Sequence, residues 1–250
     1  MNTTFSATWA QCKAELLRTI RNRRFVFFSV IMPVAFFFIF SSTVGSDVKI
    51  GSVDFTSYYL MSMTVYGVIG ASLTSFAQRV SKERVQGWIR LLRITPLPSW
   101  SYVLSKIVAQ GVINLAIILV VFVVGGIGKQ IDLPVSVWLE SGLWIWIGGF
   151  AFMALGTLIG SMRNPDAVQV LALIVYMSLS ILGGLWFPTS TMSGAMQTIA
   201  KITPTYRLGQ GAWNLVGGEA IDWAGVGILA AYAVVFMLIS AYIMKKQEAV

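Results

Sequence analysis

Six blocks of nearly unbroken apolar sequence, each close to 20 residues long, dominate the chain. About 20 apolar residues are what an α-helix needs to cross a hydrocarbon core of about 30 Å. The blocks are Phe25–Thr43, Phe55–Ala77, Tyr102–Gly126, Val137–Ser161, Ala167–Phe187 and Trp223–Met244. They lack the two-residue alternation of membrane β-barrel strands. Of the 250 residues, 56% are hydrophobic and 11% charged, against about 25% charged in a soluble domain. These figures argue against a soluble enzyme and against a disordered chain. The expected fold is an all-α integral membrane bundle of six transmembrane helices, forming a single domain over residues 1–250.

Orientation follows from the basic residues. Fourteen of the 18 Lys and Arg flank one side of the spans, among them Lys13, Arg18, Arg79, Lys82, Arg84, Lys106, Arg163 and Lys245. Lys49, Lys129, Lys201 and Arg207 fall on the other. This bias predicts that both termini are cytoplasmic. The formal charge of +8 is then accounted for by topology and anionic lipid headgroups, with no need for nucleic acid. A cleaved signal peptide is the rival reading of the first block. The block is span-length and its leader is long, so an uncleaved anchor is expected.

There is no histidine, which removes Ser-His-Asp and Cys-His catalysis, His-ligated metals and a His proton relay. The lone Cys12 cannot form a disulfide within the chain. It is read as a small apolar residue, with a palmitoylated or reactive thiol as the alternative. The acids on the external side are scattered, with no metal-ligand spacing, so no metal site is expected. No phosphate loop is present, because Gly128-Lys129 lacks both the leading Gly and the Ser/Thr. Residues 1–24 read as an interfacial helix, with Phe5, Trp9, Cys12, Leu16 and Ile20 on one face and basic residues mostly on others.

The loop after the second block carries the most information. Val85, Trp88, Ile89 and Leu92 fall at i, i+3, i+4 and i+7, which predicts an amphipathic helix. Ser81 is placed to cap it, and Pro96 and Pro98 to stop it. The run Glu83-Arg84-x-x-Gly87, then Leu91-Leu92, Thr95-Pro96-Leu97 and Lys106, resembles the signature of the type-2 ATP-binding-cassette (ABC) exporter permeases. That family's pattern is Glu-Arg-Glu-x-Gly-Thr, Leu-Leu, Thr-Pro. Val85 and Trp88 here replace its Glu and Thr. The resemblance extends over essentially the whole chain, residues 25–187 being spans one to five and residues 223–250 span six and the tail.

The resemblance implies that the loop holds a coupling helix that docks into a cytoplasmic ABC ATPase, with Glu83, Arg84, Gly87, Trp88, Ile89, Leu92 and Pro96 as coupling residues. ATP and Mg would bind in that partner, and this chain would hold no cofactor and no catalytic residue. A second permease copy, identical or related, would pair with it in a bacterial cell membrane. Spans one and five would meet that copy.

Residues 188–222 are too apolar for a plain loop. Met192, Met196, Ile199 and Ile202 predict one short helix, ended by Pro204. Tyr206, Leu208, Ala212, Trp213 and Leu215 predict a second, closed by Gly217-Gly218. A half-inserted hairpin packed on the bundle is expected, since irregular backbone at membrane depth must be buried in protein or line water. In the family such external helices close the exit, which assigns Pro188, Pro204 and Tyr206 to an external gate. No carboxylate or lysine sits in the middle of a span, which weakens ion-coupled transport. Uncharged polar residues do occur there, and Ser62, Tyr66, Asn114, Tyr176 and Ser178 are candidates to line a path for an amphiphile. Interhelical hydrogen bonding is their other reading. The expected function is export of a drug, antibiotic, lipid or lipid-linked molecule, with an ATP-independent transporter or channel as the alternative.

Overall fold

The structure is a computed structural model that describes residues 2–22, 25, 27–45, 48–88 and 99–248. It is almost entirely helical. Helix α1 spans Asn2–Ile20, and a π-helical turn, Phe27–Ile31, leads into α2, Met32–Val44. A two-stranded antiparallel hairpin follows, with Lys49 opposite Asp54 and Ile50 opposite Val53. Helix α3 runs from Phe55 to Val85 and includes a π-helical stretch, Ala71–Phe76. Next come α4, Ser99–Lys129; α5, Val135–Gly160; and α6, Pro165–Leu182. Two short helices, α7 (Gly194–Ile202) and α8 (Pro204–Val216), precede α9, Trp223–Glu248.

The helix starts follow ordinary capping chemistry. Asp54 Oδ2 accepts from the Ser57 amide at 2.8 Å to open α3. Asn164 and Thr203 cap α6 and α8, each followed by a proline at the first helical position.

Helices α3, α4, α5, α6 and α9 are long and apolar enough to cross a membrane. The first apolar block forms a shorter helix, Ser29–Val44, next to residues outside the described set, so five of the six expected spans have that length. The five differ sharply in position. In α3, 89% of the apolar window lies inside the protein, against 22% for α6 and 11% for α9. Helix α3 is therefore the core, and α6 and α9 are the rim.

Small residues let neighbours crowd α3. A Cβ on Gly67 would meet the Ser29 carbonyl oxygen, and one on Gly70 would meet the Tyr176 hydroxyl. On α5, a Cβ on Gly149 would meet Val68, one on Gly156 the Ser72 carbonyl oxygen, and one on Gly160 that of Ala77. These glycines bring α5 against the α3 backbone, a small-residue packing common between membrane helices. Ser62 and Thr64, buried in α3, donate to the carbonyls four residues back.

The aromatics of the first block mostly pack inward. Phe37 is fully buried, Phe36 lies 4.8 Å from Trp186, and Phe40 lies 5.2 Å from Tyr59. The central helix offers Tyr59 and Tyr66 as partners, and edge and tilted ring pairs stabilise such contacts.

The glycines of the core give a contrast that thermal unfolding in detergent can check. Replacing Gly by Ala inside a helix ordinarily stabilises by up to about 1 kcal/mol. Gly227→Ala, where a Cβ meets open space, should follow that rule. Gly156→Ala meets backbone that cannot yield and should instead destabilise by about 1–3 kcal/mol.

Candidate functional site

The last two turns of α3, before the second loop, collect the charged groups of the bundle's basic end. Glu83 is 1% exposed. Its Oε1 accepts from Arg18 Nη1 at 3.0 Å. Its Oε2 accepts from Lys106 Nζ at 2.6 Å and from the Tyr102 hydroxyl at 2.6 Å. Lys106 Nζ also donates to Glu15 Oε1 at 3.1 Å. One carboxylate thus joins α1, α3 and α4. A buried charge is costly unless paired and hydrogen-bonded, and here each oxygen has a cation.

Arg84, the next residue, ties the other side. Its guanidinium donates to the Ser161 carbonyl at the end of α5 and to Gln247 Oε1 near the end of α9. The Ser81 hydroxyl donates to the Met162 carbonyl at 3.0 Å, so Ser81 lies inside α3 and does not cap a new helix. Gln78 reaches Gln169 on α6 at 2.6 Å. A polar thread continues inward: Arg79 donates to Gln110, Gln110 to Asn114, and Asn114 to Ser72 within the π-helical stretch. Such stretches recur at functional sites.

Helix α1 sets its polar face against the bundle, through Thr8 to Ser101 at 3.1 Å and through Glu15. Trp9 and Ile20 on its apolar face stay exposed. Cys12 is half-buried, and burial pushes its thiol above the ordinary value, which disfavours the nucleophilic thiolate.

Beyond Val85 the expected continuous amphipathic helix is interrupted. Helix α3 ends at Val85, and Gly87 takes φ +72°, a conformation other residues adopt only with strain. Val85 and Trp88 are exposed, at 57% and 44%. Ile89, Leu92 and Pro96 lie outside the described residues. The assigned coupling residues that are described therefore divide: Glu83 faces inward, Arg84 bridges helices, Gly87 makes the turn, and Trp88 is exposed beside it, as is the neighbouring Val85.

At the opposite end, α8 is buried along most of its length. Trp213 Nε1 donates to Ser62 Oγ at 3.0 Å, and Trp144 Nε1 to the Leu208 carbonyl at 2.8 Å. Trp144 lies nine residues into α5, about 13 Å along the helix, so α8 sits beside the spans and not above them. Helix α7 keeps Met196, Ile199 and Ile202 exposed. Pro188 and Tyr206 line a shared cavity of about 230 Å³ with Tyr58, Trp213 and Glu219, while Pro204 is the buried first residue of α8.

The five path candidates form no common lining, although two of them touch. Ser62 is hydrogen-bonded to α8. Tyr66 and Tyr176 stack at 4.6 Å, with the Tyr176 hydroxyl on the Tyr66 carbonyl. Asn114 belongs to the polar thread. Only Ser178 is exposed, on the outer face of α6. Among the described residues no three of His, Cys, Asp and Glu are placed to hold a metal ion.

The sequence reading missed Glu15, whose pairing with Lys106 spans 91 residues. It counted Lys106 and Arg79 toward the charge bias, and Lys106 also toward the family signature, without seeing either as a partner inside the bundle. Both sit near span ends, where a membrane-facing and a protein-facing cation look alike in sequence.

Residues 50–242 match the family described as ABC-2 family transporter protein. The chain is also 42% identical over 240 residues to "Putative transport permease YvfS" of Bacillus subtilis (strain 168), covering 96% of this chain and 98% of that one.

Unfolding of single and double variants tests the carboxylate hub. Glu83→Gln should destabilise by about 3 kcal/mol, because it leaves Lys106 buried with only Glu15. Combined with Lys106→Met, the loss should fall short of additive by about 1–3 kcal/mol. Additive losses would mean that the two groups do not interact.

Proposed function

The chain belongs to the ABC-2 family of transporter proteins, and from that membership we propose that it is the membrane-spanning permease subunit of an ATP-driven exporter of amphiphilic molecules. The basic end faces the cytoplasm of a bacterial cell, and both termini lie there. A cytoplasmic ABC ATPase docks on the loop that leaves α3, and ATP and Mg are bound and turned over in that partner. A second permease copy pairs across the outer face of α6, where Val170, Ile174 and Ser178 are exposed. Substrate moves between the two copies, and the hairpin of α7 and α8, with Pro188, Pro204 and Tyr206, closes the exit.

One observation carries this reading. Glu83 and Arg84 gather α1, α4, α5 and α9 at the root of an exposed apolar turn. A partner seated on Val85 and Trp88 would act on four helices at once. Its binding energy would favour whichever bundle conformation holds the loop in the seated position. This chain supplies the conformations, and the partner supplies the chemistry.

The buried Glu15, Lys106 and Glu83 cluster is the feature that favours the alternative, an ATP-independent transporter, since ionisable groups inside a bundle mark ion pathways. The cluster is paired internally and lies at one end of the spans, which fits a structural joint better than a relay.

The test is purification of the tagged chain from its own cells in mild detergent, with ATP hydrolysis assayed in the eluate. An ATPase should co-purify. Trp88→Ala removes an exposed anchor and should cut recovery of the partner tenfold or more, with thermal unfolding of the permease unchanged. A folded chain that recruits no ATPase and transports in response to an ion gradient would replace this reading with the alternative.

A further inference from the structure

A cavity of about 520 Å³ opens on the outer side of the bundle between α5 and α9. Leu143, Ile147 and Phe150 form one wall, and Leu229 and Ala233 form the other. Leu215, at the end of α8, closes part of its inner side. The lining is apolar with one charged exception, Glu140, at the end near the start of α5. Pockets of this size, mostly apolar with a few placed polar groups, are typical of sites for small organic ligands.

The dimensions favour a hydrocarbon chain. From Glu140 to Ala151 along α5 is about 16 Å, and from Trp223 to Ala233 along α9 about 15 Å. Half of a bilayer's hydrocarbon core is also about 15 Å. The groove therefore runs the depth of one leaflet, and it opens sideways past exposed Leu143 and Ile147, where acyl chains would lie.

The charge selects the headgroup. Glu140 is exposed at the rim, and among the described residues no ion pair engages its carboxylate. A Cβ on Gly225 would crowd both the Asp222 carboxylate and the Trp144 ring, so Asp222 stands beside a residue that lines the groove. Asp222 caps α9 through the Gly225 amide at 2.9 Å. Glu140 is thus the acid that lines the end of the groove where a headgroup would rest, with Asp222 beside Trp144.

We propose that this groove holds the hydrocarbon chain of a cationic amphiphile from the external leaflet, with Glu140 facing its ammonium headgroup. The site is lateral, within one permease chain, and distinct from a path between two copies. The word external rests on the orientation proposed above, but binding itself does not.

The full-length permease in phosphatidylcholine nanodiscs provides the test, with no ATPase present, so that failure of the ATPase assay and failure of this site are separate results. Trp144 and Trp223 both line the groove, so a brominated alkyl trimethylammonium should quench their fluorescence saturably. The alkyl sulfate of equal chain length should quench only in proportion to its partitioning. Glu140→Gln should weaken the ammonium probe by about fivefold, the size expected of a partly exposed charge pair. Ala230→Trp fills the groove from an exposed wall position and should abolish the saturable component without changing thermal unfolding.

Equal, non-saturating quenching by both probes would overturn the proposal. So would saturable quenching untouched by Ala230→Trp, or a charge preference untouched by Glu140→Gln. A groove filled by a second copy would show no saturable quenching in the wild type, and Ala230→Trp would then break the dimer. That result too would overturn it.

Discussion

The bundle is organised by the need to neutralise one buried carboxylate. Glu83 is shut off from solvent on the most buried helix of the structure. An unpaired anion there would cost several kcal/mol. Arg18, Lys106 and Tyr102 meet that cost by converging from α1 and α4. Other features follow from the convergence. Helix α1 must turn its polar face inward, α4 must begin close to α3, and Glu15 must follow Lys106 to complete its shell. Arg84, the next residue, then draws in α5 and α9.

The second constraint is steric and runs along the rest of α3. A helix so thoroughly enclosed needs neighbours at backbone distance. Gly67, Gly70, Gly149, Gly156 and Gly160 provide that approach. Among the polar groups this traps are short hydroxyls that bond their own helix and an amide thread that leads from Arg79 to Ser72. Charge fixes one end of the bundle and close packing fixes its middle. At the far end, the indole hydrogen bonds of Trp144 and Trp213 hold α8 among the spans.

Much of this was legible in the sequence, and the exceptions have physical causes. The apolar blocks marked the long helices because length and hydropathy are local properties. The two short helices after the fifth block were legible from proline, glycine and apolar spacing, and α7 and α8 fall where expected. Which face each would bury was less legible, and α7 leaves Met196 and Ile199 outside. The site was harder to read. Glu83 stands in a run of charges that resembles a solvated loop, yet α3 continues through it to Val85. Its burial depends on partners 65 residues before it and 19 and 23 residues after it, and no local pattern encodes that. The inward packing of the Phe-rich first block was not legible, because its partners, Tyr59, Tyr66 and Trp186, lie on other segments. The lateral groove is made by α5, α8 and α9 together, and no one of them carries a mark of it.

The two faces of α1 also bear on how the protein is made. Glu15 and Arg18 leave the ribosome long before Lys106 and Glu83, their partners 91 and 65 residues downstream. Through that interval Glu15 and Arg18 lack those partners. Its exposed Trp9 and Ile20 give it a membrane surface on which to wait, with Glu15 and Arg18 toward water. Once α3 and α4 are in place, the polar face closes on them while the apolar face stays where it was. One helix can thereby serve first as a mooring during synthesis and later as a clasp on the finished bundle.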